Sequence, residues 1–362
     1  MDRGHDSRLI NTLNSKLKMQ KQDIRIVFMG TPDFAVPTLD ALVVGGYNVV
    51  GVITMPDKPA GRGHKVQYSP VKQYALDHNL PLLQPEKLKN EEFLEELRAW
   101  EADLQIVVAF RMLPEVVWNM PRMGTFNLHA ALLPQYRGAA PLNWAVINGD
   151  TMTGATTFFL DHDIDTGRII LKQEMPIAPE DNVGNVHDNL MEMGKGLVCR
   201  TVDLLAEADG DVSRISTIDQ ETLLQNLKAS TGIDELRPAP KIFKETCEMH
   251  FDHNVRSLHN LVRGLSPYPA AWMSIVKGAE ESHAAWVALP LSLDVISPIK
   301  VFRTSIVKEN QPQPTEKIGT VVTDNKSYLH VICADGVLAL EELQLPGKKR
   351  MDVKALLNGF KL

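Results

Sequence analysis

Asn127 and His129 stand two residues apart in the run GTFNLHA, and Asp161, Asp163 and Asp165 crowd the later run LDHDID. On an extended strand a spacing of two puts both side chains on one face. A side-chain amide beside an imidazole can polarise a carbonyl oxygen. A carboxylate brought up to that imidazole can orient it and balance its charge. The set suits attack on a carbonyl carbon with one proton to manage. Taken singly, the same residue types also cap strands, satisfy buried groups and form turns, so their spacing alone names no reaction. Gly30, the glycine closing the first apolar run, stands outside any GxGxxG pattern, and a dinucleotide site is poorly supported.

These side chains need a strand end. Gly124 to His129 reads as a strand, and it runs into LLPQYRG, where Pro134 and Gly138 interrupt regular structure. A second strand, Ala155 to Leu160, ends in the acidic turn, and Gly167 permits the tight return that brings Asp165 back to the same edge. Upstream, 24–30, 48–54 and 104–110 are nearly continuous apolar runs of the kind buried in parallel sheets. Helical patterns fall between them at 35–44, 70–79 and 91–100, with Ser69 and Pro70 marking one helix start. A helix at 139–148 and a strand at 168–177 follow. The helix expected over 183–208 repeats Val186, Leu190, Met193, Leu197, Val198, Val202 and Leu205 on one face. The pattern is α/β, a Rossmann-like parallel or mixed sheet. Residues 1–22 read as a disordered leader with Met19 as a candidate start, 23–210 as the catalytic domain, and 211–238 as a weakly patterned linker. In 239–362 a helix precedes many short β-prone segments, which suggests a small antiparallel β-barrel.

Composition narrows the partners. Lys and Arg number 38 against 45 Asp and Glu, a formal net charge of −7, so bulk attraction to a polyanion is not expected. A nucleic-acid partner would need locally grouped charge. Two groups qualify: the loop MPDKPAGRGHKV, with Lys58, Arg62, His64 and Lys65 among prolines and glycines, and the cluster Lys348, Lys349, Arg350. Cys199, Cys247 and Cys333 are sparse and in no metal-ligand spacing, which fits a reduced compartment. No apolar run approaches the length of a membrane span, and the N-terminal residues lack the apolar centre of a secretion signal.

NLHAALLPQYRGAAPLNWA followed by DIDTG, together with PAGRG, RGLSPYP and LQLPGKKRM, resembles the folate-dependent formyltransferases over residues 24–361. The likeness is closest to the branch whose acceptor is the α-amine of methionyl initiator tRNA. It implies a formyltransferase domain followed by an oligonucleotide-binding-like barrel, with 10-formyltetrahydrofolate as co-substrate and no metal. By position in the motifs, Asn127, His129 and Asp165 become catalytic. Leu132, Leu133, Pro134, Gly138, Met112, Leu113 and Asp163 become the folate pocket. Lys58, Arg62, Lys65, Lys348, Lys349 and Arg350 become tRNA contacts. A cytoplasmic monomer is the accompanying expectation. Two departures stand out: Ala131 where the family usually has Ser, and Arg111 in FRMLP where it usually has Gly in a longer loop. Glycinamide ribonucleotide formyltransferase would share the three catalytic residues, but it lacks the PAGRG loop and the C-terminal domain. A non-enzymatic RNA-binding protein would leave the catalytic trio unexplained.

Overall fold

The apolar runs do become buried strands. In chain order the first part of the molecule runs β1 (Arg25–Gly30), α1 (Val36–Val44), β2 (Asn48–Ile53), β3 (Lys58–Ala60), β4 (Lys65–Gln67), α2 (Pro70–Asp77), β5 (Leu82–Leu83), α3 (Glu91–Ala99), β6 (Leu104–Val108) and α4 (Glu115–Trp118). It continues through β7 (Thr125–His129), α5 (Pro141–Ile147), β8 (Met152–Phe159), β9 (Ile169–Pro176), α6 (Val183–Glu207) and α7 (Gln220–Thr231). This computed structural model describes residues 18–60, 65–231, 236–277, 285–287, 295–311 and 317–359. The strands order as β5-β2-β1-β6-β7-β8-β9. The pairs β2–β5, β1–β2, β1–β6 and β6–β7 are parallel, and β7–β8 is antiparallel. β6 is buried at every position, as a central strand covered on both faces must be. Phe28, Phe126 and Phe158 are fully buried, each stabilising the fold by roughly 1.5–3 kcal/mol. Strand order reverses at β1. The crevice beyond the C-terminal ends of β1 and β6 is therefore the switch point at which open α/β sheets bind ligands.

Ser69 caps α2 as expected, its hydroxyl accepting from the Lys72 N–H at 3.1 Å, a cap whose loss costs about 1 kcal/mol. Two features were not expected. The basic loop is a short antiparallel hairpin at its base, with Lys58 opposite Gln67 and Ala60 opposite Lys65. The weakly patterned stretch after residue 210 contains α7. Most of the expected leader lies outside the described residues. Within it, Lys21–Asp23 forms a 3-10 turn and the Met19 N–H donates to Asp209 at 3.2 Å.

Packing divides the chain into two units that do not follow chain order. Unit 1 comprises 1–134, 154–173 and 190–236, and unit 2 comprises 135–153, 174–189 and 237–362. Unit 2 adds α8 (Val255–Leu265), β10 (Ala271–Lys277), β11 (Ala285–Val287), β12 (Val295–Lys308), β13 (Val321–Thr323), β14 (Leu329–Ile332), β15 (Val337–Gln344), β16 (Met351–Asp352) and α9 (Val353–Gly359). Its curled sheet orders as β11-β10-β12-β15-β14-β13, with β16 on β15. It is antiparallel apart from β10–β11. Val255, Leu258, Val262 and Leu265, spaced three and four apart on α8, are buried in the core formed with Phe251, Met273 and Leu340. This is the amphipathic stripe a helix must cover. α5 joins this unit by packing on α8, where Asn143 donates to the Gly264 carbonyl at 2.8 Å.

Candidate active site

His129 is the last residue of β7, at the C-terminal edge of the sheet beside β6. Its imidazole is buried, packs edge-on against Phe158, and lies 3.8 Å from the Asp165 carboxylate. That separation exceeds hydrogen-bond range but not that of an ion pair. At an effective dielectric of about 20, an imidazolium and a carboxylate so placed attract by about 4 kcal/mol. Asn127 sits on the same strand face, half-buried, and its amide makes no hydrogen bond among the described residues. The edge thus presents a free amide donor, an imidazole and a carboxylate within one small area of unit 1.

The three aspartates of the turn have different roles. Asp161 organises the turn, accepting from the Asp163 N–H at 3.2 Å and the Thr166 hydroxyl at 2.7 Å. Asp163 is exposed. Asp165 alone faces His129, and it does so from a left-handed backbone conformation with φ +56, which aspartate tolerates better than most side chains. The buried Gln220, at the start of α7, donates to the Asp165 carbonyl at 2.9 Å and the Gly167 carbonyl at 2.8 Å. Gly167 is needed for close approach: a Cβ there would lie 1.7 Å from the Phe159 carbonyl oxygen.

The segment following β7 is pinned by a residue the sequence reading did not single out. The fully buried Thr156 donates to the Ala131 carbonyl at 2.7 Å and accepts from the Leu133 N–H at 3.1 Å. Ala131 therefore needs no hydroxyl to hold its backbone. Of the expected folate-lining residues, Leu132 is half-buried, Pro134 is buried, and Leu133 packs with Phe158 and Ile169. Leu113 is in the core with Phe93, Leu97 and Val117, whereas Met112 is 71 % exposed. Gly138 belongs to unit 2, where its φ of +128 and the Ala239 carbonyl 2.5 Å from a would-be Cβ require glycine. Arg111, in the place of the family's glycine, donates to the carbonyls of Pro85 and Glu86. The Thr31 hydroxyl, at the end of β1, is buried without a partner among the described residues. An unsatisfied polar atom at the switch point is what a ligand-binding edge leaves behind. Nothing in the sequence around Thr31 signals it.

Of the expected tRNA contacts, Lys58 and Lys65 lie on β3 and β4, and Arg62 lies outside the described residues. Lys348 and Lys349 are exposed. Arg350 is engaged within unit 2, forked onto Glu342 at 2.6 and 2.7 Å with its guanidinium 4.3 Å from the Phe302 ring. In unit 1 a cavity of about 470 Å³ opens beside α3, lined by Glu86, Glu92 and Glu96 among others. Three carboxylates make it a poor place for an anion. Among the described residues no cluster of His, Cys, Asp and Glu could hold a metal ion, and no helix is long and apolar enough to cross a membrane.

Residues 24–202 match the formyl transferase family profile and residues 241–361 its C-terminal domain profile. Fold and site therefore define a formyltransferase. The chain is 59% identical over 345 residues to a methionyl-tRNA formyltransferase of Bacteroides fragilis, covering 95% of this chain and 97% of the relative. It is 45% identical to that of Porphyromonas gingivalis over 95% and 98% of the two chains. The chain belongs to the methionyl-tRNA formyltransferase family. Among solved structures, the sugar 3N-formyl transferase WlaRD, determined with dTDP and 5-N-formyl-THF, aligns at a TM-score of 0.58 with 18% identity, covering 90% of this chain and 99% of that one. The N-formyltransferase of Helicobacter canadensis, in complex with folinic acid and dTDP-3-aminofucose, aligns at 0.56 with 16% identity over 88% and 98%. At such identities these two share the fold.

Proposed function

We propose that the chain moves the formyl group from N10 of 10-formyltetrahydrofolate to the α-amine of methionine esterified to initiator tRNA, with Asn127, His129 and Asp165 as its catalytic residues. The observation that carries this reading is the His129–Asp165 pair at 3.8 Å beside the free Asn127 amide on one sheet edge. An α-amine has a free pKa near 8, so a useful fraction is neutral at pH 7. Its lone pair attacks the formyl carbon, the new C–N bond forms, and the carbonyl oxygen becomes an oxyanion. The Asn127 amide and the His129 imidazolium donate to that oxygen. Asp165 balances the imidazolium and turns the ring. Collapse breaks the bond to N10, which takes a proton from His129 as the nearest acid, while the amine proton leaves to Asp165 directly or through water. Leu132, Leu133 and Pro134, in the segment after β7, line the folate. The half-barrel of unit 2 is read as an oligonucleotide-binding-like module. β11 and β13, at opposite ends of its strand order, approach each other, as barrel closure requires.

The experiment is single-turnover formylation of methionyl-tRNA with saturating 10-formyltetrahydrofolate. His129→Ala should lose at least about 10²-fold and Asn127→Ala roughly 10²–10³-fold, with affinity for a folate analogue unchanged in both. Rates near wild type in both variants would remove these residues from the mechanism. Failure of the wild-type chain to formylate methionyl-tRNA would refute the reaction itself.

A further inference from the structure

The basic hairpin is anchored at its base by partly buried polar contacts. Asp57 immediately precedes β3 and uses both carboxylate oxygens: Oδ2 accepts from the Lys72 ammonium at 2.5 Å, and Oδ1 accepts from the Gln84 amide at 2.9 Å. The same Gln84 nitrogen donates to the Met55 carbonyl at 2.9 Å. On the other leg, the Thr54 and Ser69 hydroxyls are 2.9 Å apart, and the Lys72 ammonium lies 4.0 Å from the centre of the Tyr68 ring. The second leg is thus tied at its neck to α2 and to Thr54 at the end of β2, and the first to α2 and to the segment leaving β5. That segment is fixed in turn to the loop after β6 by Arg111, which takes the carbonyls of Pro85 and Glu86. β2, β5 and β6 are parallel members of one sheet. The loops so joined all lie on the edge that carries His129.

We propose that Lys72 and Gln84, acting through Asp57, are positioning residues: they set the direction of strands β3 and β4 and so place the acceptor's aminoacyl end over the catalytic edge. This rests on the acceptor assigned above. A surface ion pair by itself would contribute little, but the Lys72 side chain is only 12% exposed and its partner is shared with a second donor. The hydrogen bonds from Lys72 and Gln84 hold the Asp57 carboxyl below the usual carboxylate range, so the brace stays charged throughout the neutral range. A two-stranded hairpin with strands this short is marginal alone, and its base decides where it points. Strands of three residues reach about 10 Å, so a turn of about 10° at the neck displaces their far ends by about 2 Å. Misplacing a reacting group by 1 Å costs on the order of 10²-fold.

The test compares the wild-type chain with Lys72→Met, Gln84→Leu and Lys72→Arg, varying methionyl-tRNA and 10-formyltetrahydrofolate in turn and recording thermal midpoints. Lys72→Met and Gln84→Leu should lower kcat/KM for methionyl-tRNA by about 10- to 10²-fold while the folate KM stays within about twofold. Lys72→Arg, which keeps a cation beside Asp57, should recover to within about threefold. Amides of β4 should exchange faster with deuterated water in Lys72→Met than in wild type. An unchanged kcat/KM for tRNA in Lys72→Met, or an equal fall for both substrates that tracks lost folded protein, would overturn the positioning role and leave the acceptor assignment standing. A wild-type chain inactive on methionyl-tRNA would overturn the acceptor assignment and the positioning role with it.

Discussion

Gly167→Ala tests whether the acidic turn must sit where it does. A Cβ at this position would lie 1.7 Å from the Phe159 carbonyl oxygen and 2.9 Å from its carbon. Such contacts do not fall below 3.0 Å, so the two backbones must part by about 1.3 Å (3.0 less 1.7). The Phe159 N–H bond to the Arg168 carbonyl, now 3.0 Å, closes the same turn and would stretch. Gln220 grips the carbonyls of both Asp165 and Gly167, so the shift passes to Asp165. Widening the 3.8 Å gap to His129 to about 5 Å removes about 1 kcal/mol of attraction at a dielectric of about 20, or roughly fivefold in rate. Misorientation adds on the order of 10²-fold. The single-turnover rate should therefore fall by about 10²–10³-fold, with about 1–3 kcal/mol lost in stability from overpacking. Gly196→Ala is the control. It sits on α6 facing open space, so it should gain about 1 kcal/mol from helix propensity and leave the rate unchanged. Denaturant unfolding would establish the folded fraction of each variant. A folded Gly167→Ala protein that transfers formyl within about threefold of wild type would refute the claim that the placement of Asp165 matters.

Arg62→Ala should weaken methionyl-tRNA binding and reduce the slope of log affinity against log salt by roughly one unit, leaving folate-analogue binding unchanged. A weakened folate site with an intact salt slope would assign the hairpin to the folate pocket instead. In unit 2, His259 is buried, with its ring 3.0 Å from the Thr304 hydroxyl, and burial, reinforced by Arg263, depresses its pKa. The unfolded chain then binds a proton that the folded one refuses. Stability is full above the ordinary histidine value near 6.5 and falls as pH drops below it, with a slope approaching about 1.4 kcal/mol per pH unit. Urea midpoints between pH 7.5 and 5.5 should show a shallower decline in His259→Gln than in wild type, and identical declines would exclude this residue. The Cys333 thiol, pushed up to about 12 by burial, should resist alkylation in the folded protein.

Much of the frame was legible in the chain. β1, β2 and β6 are apolar runs that only a covered parallel sheet accommodates, Ser69 and Pro70 announce the start of α2, and the stripe along α6 predicts its buried face. Asn127 and His129 were readable as one strand face because a period of two is a local property of extended backbone. Spacing did not separate the aspartates in the same way; the likeness of DIDTG to the family motif, with Gly167 as the point of return, is what named Asp165. Asp161, Asp163 and Asp165 differ only in where the turn carries them, and that is decided by Gln220, which is remote in sequence, and by the pairing of β7 with β8. The helix α7 that supplies Gln220 arises in a stretch whose pattern is too weak to announce it. The pairing of β3 with β4 escaped for the same reason: the neck residue Asp57 is held by Lys72 and Gln84, which lie 15 and 27 residues further along the chain. Membership of 135–153 in unit 2 likewise depends on the fit of α5 against the small surface at Gly264, where a Cβ would meet Ile147 at 2.4 Å. Periodicity and capping encode interactions among neighbours, and these the sequence alone determined. The approach of the Asp165 carboxylate to within 3.8 Å of the imidazole, and the hold of Lys72 and Gln84 on Asp57, are contacts between residues far apart in the chain, and only the tertiary structure decided them.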